Sequence, residues 1–309
     1  MARMPVEHGK VREYARATEA PWPGYLDDPH QPDPADVLAT VVYWESLSSV
    51  FGLPEARTAF AEHGIEADPT RLLSLEQEHL FPGAPPRAGD VLETSLRFDG
   101  ASAREGRRGG RMVIVRFAVE FRSAGELRAE CRYTSAHLGA AAQPATGTRV
   151  PTTDVPTAGV QAAGVRSEQR VAPAQDRYQL GAQLPARTFG PVTMTDVVRY
   201  QGASGDMNPM HHDDELARAA GYSAAFGVGM PGAGFLGTTC CEHYGLDTVR
   251  RIRTRFRGLV WRGDTLTTTV TVTGLRVEAG EERVELELSL RSDDGAVVTE
   301  GSAEFALPG

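Results

Sequence analysis

The same run of four strand-like segments occurs twice in this chain, and that repetition restricts its fold more than any other feature. In the second half VRRIRTRFRGLVW (249–261), GDTLTTTVTVTGL (263–275), ERVELELSL (282–290) and AVVTEGSAEFAL (296–307) follow one another, with DDG turning the chain between the last two. VELELSL alternates apolar and polar side chains at every step, the pattern of a strand with one buried face. The first half repeats the run as LLSLEQEHLF (72–81), GDVLETSLRFDG (89–100), RMVIVRFAVEF (111–121) and ELRAECRYTSAHL (126–138). Asp90 matches Asp264 at an offset of 174, and Gly125 matches Gly295 at an offset of 170. A longer Arg/Gly loop between the second and third strands of the first half takes up the difference. Two copies of one α+β unit in a single chain explain both runs.

Each copy carries an apolar helical segment ahead of its strands, DVLATVVYWESLSSVFGL (36–53) in the first and PGAGFLGTTCCEHYGL (231–246) in the second. Pro231 falls near the first turn, where its missing N–H costs nothing. An apolar helix followed by an antiparallel sheet predicts a sheet wrapped around that helix. Each glycine in the second segment costs roughly 1 kcal/mol of helix propensity against Ala. Their presence implies tight packing or close approach of the backbone to a ligand. Residues 139–175 are rich in Ala, Gly, Pro, Thr and Val and poor in large apolar side chains, so they read as a linker. The expected organisation is an N-terminal unit over 1–138, a linker over 139–175 and a C-terminal unit over 176–309.

A net charge of −9 argues against a nucleic-acid partner. Arg104, Arg107, Arg108 and Arg111 depart locally from that balance. They read as a solvated hairpin loop, with a site for an anionic carrier or cofactor tail as the alternative. Hydrophobic residues make up 41% and charged residues 24%, a mixture suited to a soluble protein with a real core. No apolar run reaches the roughly 18–20 residues of a membrane span. The first twenty residues lack the apolar region of a secretion signal, so a cytoplasmic location is expected. Cys240 and Cys241 are neighbours in an apolar segment and read as reduced core thiols. With His243 the nearest further ligand and no CxxC or HExxH spacing, no metal site is expected.

The chemistry concentrates in SGDMNPMH (204–211), which follows the apolar-patterned VTMTDVVRYQGA. Asp206 and His211 stand five apart, with Asn208-Pro209 preventing a regular helix between them. A plain Asn-Pro turn is the structural alternative. A carboxyl and an imidazole whose surroundings separate their pKa values can hold an acid and a base together near neutral pH. The Asn208 amide is positioned to hold the loop or a water. Gly229 and Met230 come at the start of the 231–246 helix, where N–H groups and the helix dipole favour negative charge. Glycines 227, 229, 232 and 234 admit close approach, of either a ligand or the sheet. His212 and Asp213 read as the start of a helix over DDELARAAG.

YQGASGDMNPMH (200–211) resembles the signature of the MaoC-like hydratases and dehydratases, also called R-specific enoyl-CoA hydratases: an aromatic residue, a short spacer, then S-G-D-x-N-P-apolar-H. FGVGMPGAGF (226–235) resembles the start of that family's central helix, and RFRGLVWRGDTL (255–266) its strand and GD turn. The likeness covers most of 180–309 and, more weakly, roughly 10–138, where LSLEQEHLFPGAPPRAGD looks like a non-catalytic partner unit. It implies an α+β double hot-dog fold, each half an antiparallel sheet around a central helix, with the halves packed as a pseudo-dimer. It implies reversible hydration of trans-2-enoyl thioesters to (R)-3-hydroxyacyl thioesters on CoA or acyl-carrier protein. Asp206 and His211 would share acid and base duty, and the Gly229 region would bind the thioester oxygen. It implies no metal or other cofactor, and leaves room for a homodimer of double hot-dogs.

The chain departs from the family pattern at Val228, where His is usual, and at Gly237, where a small hydroxyl residue is often found. Thr238 and Thr239 are candidates to supply that hydroxyl. The first half lacks the acidic-histidine motif, its counterpart being ATEAPWPGYLDDPH (17–30). Trp22, Tyr25, Tyr43, Trp44 and Phe51 are candidates to line an acyl tunnel, with core packing as the alternative. Rival functions are a hot-dog thioesterase, a non-catalytic acyl-binding subunit, and conjugate addition or double-bond isomerisation at the same thioester site. A thioesterase typically places a carboxylate on or near the central helix, where this chain has Glu242 at the far end.

Overall fold

The computed structural model describes residues 2–20, 53–65, 72–105, 111–139 and 178–307. In the first half these form β1 (Ala2–Pro5), α1 (His8–Ala17), α2 (Pro54–Glu62), β2 (Leu72–Leu80), β3 (Val91–Glu105), β4 (Arg111–Ser123) and β5 (Glu126–Leu138). The second half gives β6 (Thr188–Phe189), α3 (Met194–Ser204), α4 (Asp214–Ala219), α5 (Pro231–Tyr244), β7 (Val249–Phe256), β8 (Leu266–Glu278), β9 (Glu281–Ser292) and β10 (Val297–Ala306). Every strand expected from the repeat is present. β7 ends at Phe256 rather than running to Trp261, because the N–H groups of Arg257 and Gly258 both turn to the Val298 carbonyl. Residues 140–175 of the linker, residues 36–52 of the helical segment and the tunnel candidates Trp22, Tyr25, Tyr43, Trp44 and Phe51 lie outside the described residues, as do residues 106–110 of the arginine-rich segment.

The strands join in a single antiparallel sheet of order β1-β3-β4-β5-β2-β7-β10-β9-β8-β6. The order β3-β4-β5-β2 is the mirror of β7-β10-β9-β8, so the repeat in sequence becomes a pseudo-twofold in space. The halves meet where β2 pairs with β7, in register from Glu76 opposite Arg255 to Leu80 opposite Arg251.

Helix α5 packs against β7, β8, β9 and β10. Most of its residues are buried around the whole circumference, as expected of a helix enclosed by sheet. Its glycines separate into two groups. A Cβ on Gly232 would stand 2.5 Å from Thr299 Oγ1, and one on Gly234 would stand 2.4 Å from Thr18 Cγ2 and 2.8 Å from the Tyr14 hydroxyl. These two answer to packing against β10 and α1. Tyr14 of α1 also meets Tyr200 of α3, ring centroids 5.9 Å apart. Cys240 and Cys241 are buried in the core, as their sequence context predicts, and Cys131 is buried as well. No described helix is long and apolar enough to cross a membrane.

Candidate active site

Helix α3 exists to deliver the motif. Thr193 and Asp196 close a reciprocal capping box at its start, and Val197, Tyr200, Ala203 and Ser204 bury its inner face. It ends at Gly205, whose φ of 77° lies in the left-handed region that glycine adopts without strain. The reversal turns Asp206 inward, where it is 2% exposed. The Asp206 N–H donates to Ser204 Oγ at 3.2 Å, and the Asn208 N–H donates to Asp206 Oδ1 at 3.2 Å. Asn208 Oδ1 in turn accepts from the Met210 N–H at 3.1 Å, capping a single 3₁₀ turn over Pro209–His211. The Asn208 side chain therefore holds the loop, one of the two duties the sequence offered it. Asp213 caps α4 by accepting from the N–H groups of Glu215 and Leu216.

Gln201 completes the loop and was missed from sequence. Its Nε2 donates to the carbonyls of Asp206 at 2.8 Å and Asn208 at 3.1 Å, while its Oε1 accepts from His212 Nδ1 at 2.8 Å. The signal was a long polar side chain on the buried face of α3, where its neighbours are Tyr200 and Ala203.

His211 Nε2 lies 3.8 Å from Asp206 Oδ2. The other ring nitrogen, Nδ1, lies 2.9 Å from the Phe226 carbonyl oxygen. A carbonyl only accepts, so Nδ1 carries the hydrogen and the neutral ring turns the Nε2 lone pair toward the carboxyl. Phe226 also meets the imidazole edge to face, centroids 5.1 Å apart, and is itself backed by Tyr222 and Trp261. Burial raises Asp206 from 3.8 to about 7, against the opposing Asn208 N–H. Burial lowers His211 from 6.5 to about 4, with the Phe226 carbonyl opposing and His212 adding to the fall. At neutral pH the pair holds a carboxyl able to give a proton beside an imidazole able to take one.

Both groups face a cavity of about 260 Å³. It opens where the β2–β7 ladder stops: beyond the Glu76–Arg255 pair the strands part, and residues 72–75 line one side and 256–260 another. Asn208, Gly229 and Val228 also line it. Met230, the residue just before α5, is fully buried in the core, makes no side-chain capping bond and does not line the cavity. Thr239 Oγ1 donates to the Phe235 carbonyl within α5, and neither it nor Thr238 lines the cavity. A Cβ on Gly237 would meet only Ile252 Cδ1 at an ordinary 3.7 Å, so packing does not demand glycine there. The hydroxyl-bearing residues that do line the cavity are Tyr222 and, from the other half, Ser74. A larger depression of about 460 Å³ lies on the outer sheet face, lined by Arg253, Arg255 and Glu300. Arg253 and Arg255 are paired with Glu76, and the depression contains neither motif residue. Among the described residues no three His, Cys, Asp or Glu side chains group to hold a metal.

Residues 178–294 match the MaoC like domain family, and residues 2–127 match the FAS1-like, dehydratase domain region. The chain is similar to an (R)-specific enoyl-CoA hydratase of Rhodospirillum rubrum, 31% identical over 121 residues that cover 38% of this chain and 81% of the relative. Among solved structures it is similar to a MaoC-like dehydratase, with a TM-score of 0.70 at 21% identity over 99% of this chain and 95% of that one. It is also similar to HtdX of Mycobacterium tuberculosis, with a TM-score of 0.62 at 16% identity over 99% and 98% of the two chains. A second Mycobacterium tuberculosis protein, one with a double hot-dog fold, matches with a TM-score of 0.62 at 15% identity over 99% and 93%. The ten-stranded sheet with its pseudo-twofold is that double hot-dog.

Proposed function

Because the chain belongs to the MaoC-like hydratase and dehydratase family, we propose that it adds water reversibly across the double bond of trans-2-enoyl thioesters, giving (R)-3-hydroxyacyl thioesters. The observation that carries this reading is the buried Asp206–His211 pair, 3.8 Å apart at one side of a largely apolar cavity.

The proton inventory closes with these two groups. A water between them gives one proton to His211 Nε2 as its oxygen attacks C3. The electron pair of the C2–C3 π bond moves toward the thioester carbonyl, and C2 then takes the Asp206 proton. Imidazolium and carboxylate are left side by side. A proton passing between them restores the starting forms, and the sum is one water added. The hydroxyl and the hydrogen are delivered from one side of the substrate, so addition is syn. Backbone N–H groups at Gly229 and Met230, at the head of α5, serve as donors to the thioester oxygen as charge builds there. CoA or an acyl-carrier protein carries the acyl group.

The thioesterase alternative is weaker on geometry. Glu242 lies near the C-terminal end of α5, 40% exposed, with Arg187 3.5 Å away, and it does not line the cavity. The test is loss of crotonyl-CoA absorbance with the wild type, Asp206→Asn and His211→Ala. The reading expects turnover in the wild type and loss of at least roughly a hundredfold in each variant. Unchanged turnover in both variants, or thiol release in place of hydration, overturns it.

A further inference from the structure

The wall that the first half gives the cavity contains a single hydroxyl among leucines. Residues 72–75 of β2 line the cavity, and three of the four are Leu72, Leu73 and Leu75. Consecutive residues of a regular strand point to opposite faces. The bulge that β2 makes against β5 between Ser74 and Glu76 is the irregularity that lets this run turn to one space. Ser74 Oγ shares a short hydrogen bond with the Tyr133 hydroxyl of β5. Tyr133 is 1% exposed, and its ring packs on Phe117 with centroids 5.4 Å apart.

Two observations connect this pair with the Asp206 carboxyl. Ser74 lines the same small cavity as Asp206 and His211. The Tyr133 phenol, raised well above its ordinary value chiefly by burial, is raised further by the charge of Asp206. Of the other polar side chains that line the cavity, Asn208 Oδ1 accepts from the Met210 N–H and Arg257 pairs with Glu300. A serine hydroxyl has one donor and two acceptor positions, so one bond to Tyr133 leaves Ser74 with capacity toward the cavity.

We propose that Ser74 is a third polar contact for the oxygen that joins or leaves C3, and that Tyr133 is the residue that positions it. This rests on the hydratase reading above. A water between Asp206 and His211 has its hydrogens directed by the pair. A bond from Ser74 to one of its lone pairs leaves the other aimed at C3. The half without the acidic-histidine motif thereby contributes to catalysis as well as to the wall. Packing alone gives no reason for the two hydroxyls, since replacing both partners of a buried hydrogen bond with apolar groups of like shape is nearly neutral.

The experiment measures kcat, KM and melting temperature on crotonyl-CoA for Ser74→Ala, Tyr133→Phe, Ser74→Thr and the Ser74→Ala/Tyr133→Phe double variant. The expected result is a roughly tenfold fall in kcat for Ser74→Ala with KM little changed, the worth of one hydrogen bond made in the transition state. Tyr133→Phe falls in the same direction, Ser74→Thr recovers most of the rate, and the double variant is no slower than Ser74→Ala while melting near the wild type. Wild-type kcat in Ser74→Ala, or an equal loss in Ser74→Thr, overturns the proposal. Should Ser74→Ala fail to fold, wild-type kcat in Tyr133→Phe does the same. An inert wild type, or unchanged turnover in both Asp206→Asn and His211→Ala, removes the hydratase reading and this proposal together. An active wild type with a dead Asp206→Asn and an unimpaired Ser74→Ala removes this proposal alone.

Discussion

Arg251 of β7 reaches across to Glu78 of β2, Nη2 to Oε1 at 2.6 Å, and its Nη1 also donates to Glu304 Oε1 of β10 at 3.2 Å. The two strands come from different halves, and the glutamates are 8% and 5% exposed. One guanidinium thus bridges two buried carboxylates, which Arg132 on Glu78 and Arg276 and Arg283 on Glu304 also approach, at the seam whose far end opens into the cavity.

Arg251→Ala leaves both carboxylates with fewer partners in a site that water barely reaches. The expected cost is about 1–3 kcal/mol of stability. Chemical denaturation followed by circular dichroism checks it, and a midpoint equal to the wild type would contradict the assignment.

The hydration rate has a predicted pH window. His211 must be neutral, which holds above about 4, and Asp206 must carry its proton, which holds below about 7. In the hydration direction kcat/KM is therefore expected to fall as pH rises beyond about 7. A profile that climbs steadily from pH 7 to 9 would be incompatible with this division of labour.

The same shifts predict opposite stability slopes in two variants. Asp206 rises from 3.8 to about 7 on folding, so between those values the native state holds the extra proton and stability falls as pH rises. His211 drops from 6.5 to about 4, so its contribution is present above 6.5 and is lost as pH falls toward 4. Over roughly pH 4 to 6.5 the two oppose, each at about 1.4 kcal/mol per pH unit. Relative to the wild type, Asp206→Asn should gain stability with rising pH and His211→Gln should lose it. Melting temperatures at several pH values decide the matter; parallel curves would rule it out.

Gln201 carries a prediction for the loop. Gln201→Leu keeps the size of a side chain that is 3% exposed but removes its bonds to the Asp206 and Asn208 carbonyls and to His212. The Asp206 carbonyl loses its donor and the Asn208 carbonyl keeps only the His211 N–H, so about 1–3 kcal/mol of stability should go. Turnover should fall roughly tenfold or more as Asp206 loses its fixed position. Activity equal to the wild type would show that the loop holds its shape without the clamp.

The sequence by itself determined whatever depends on local pattern. Alternation in segments such as VELELSL specified the strands, and their repetition specified two related units, because one strand's buried face is written in its own residues. The motif SGDMNPMH carried its own geometry: a glycine to reverse the chain, an Asn to cap, a Pro to start a 3₁₀ turn. Tertiary structure decided which distant residues meet that motif. Gln201 looked like any polar helix residue until its amide met two loop carbonyls. Ser74 looked like an ordinary strand serine until the bulge in β2 and the end of the β2–β7 ladder brought it to the cavity. Glycines 232 and 234 read equally as ligand approach or as packing, and only the positions of Thr299, Thr18 and Tyr14 chose packing. Likewise the separated pKa values of Asp206 and His211 come from burial, which arises when two halves far apart in sequence close over one space.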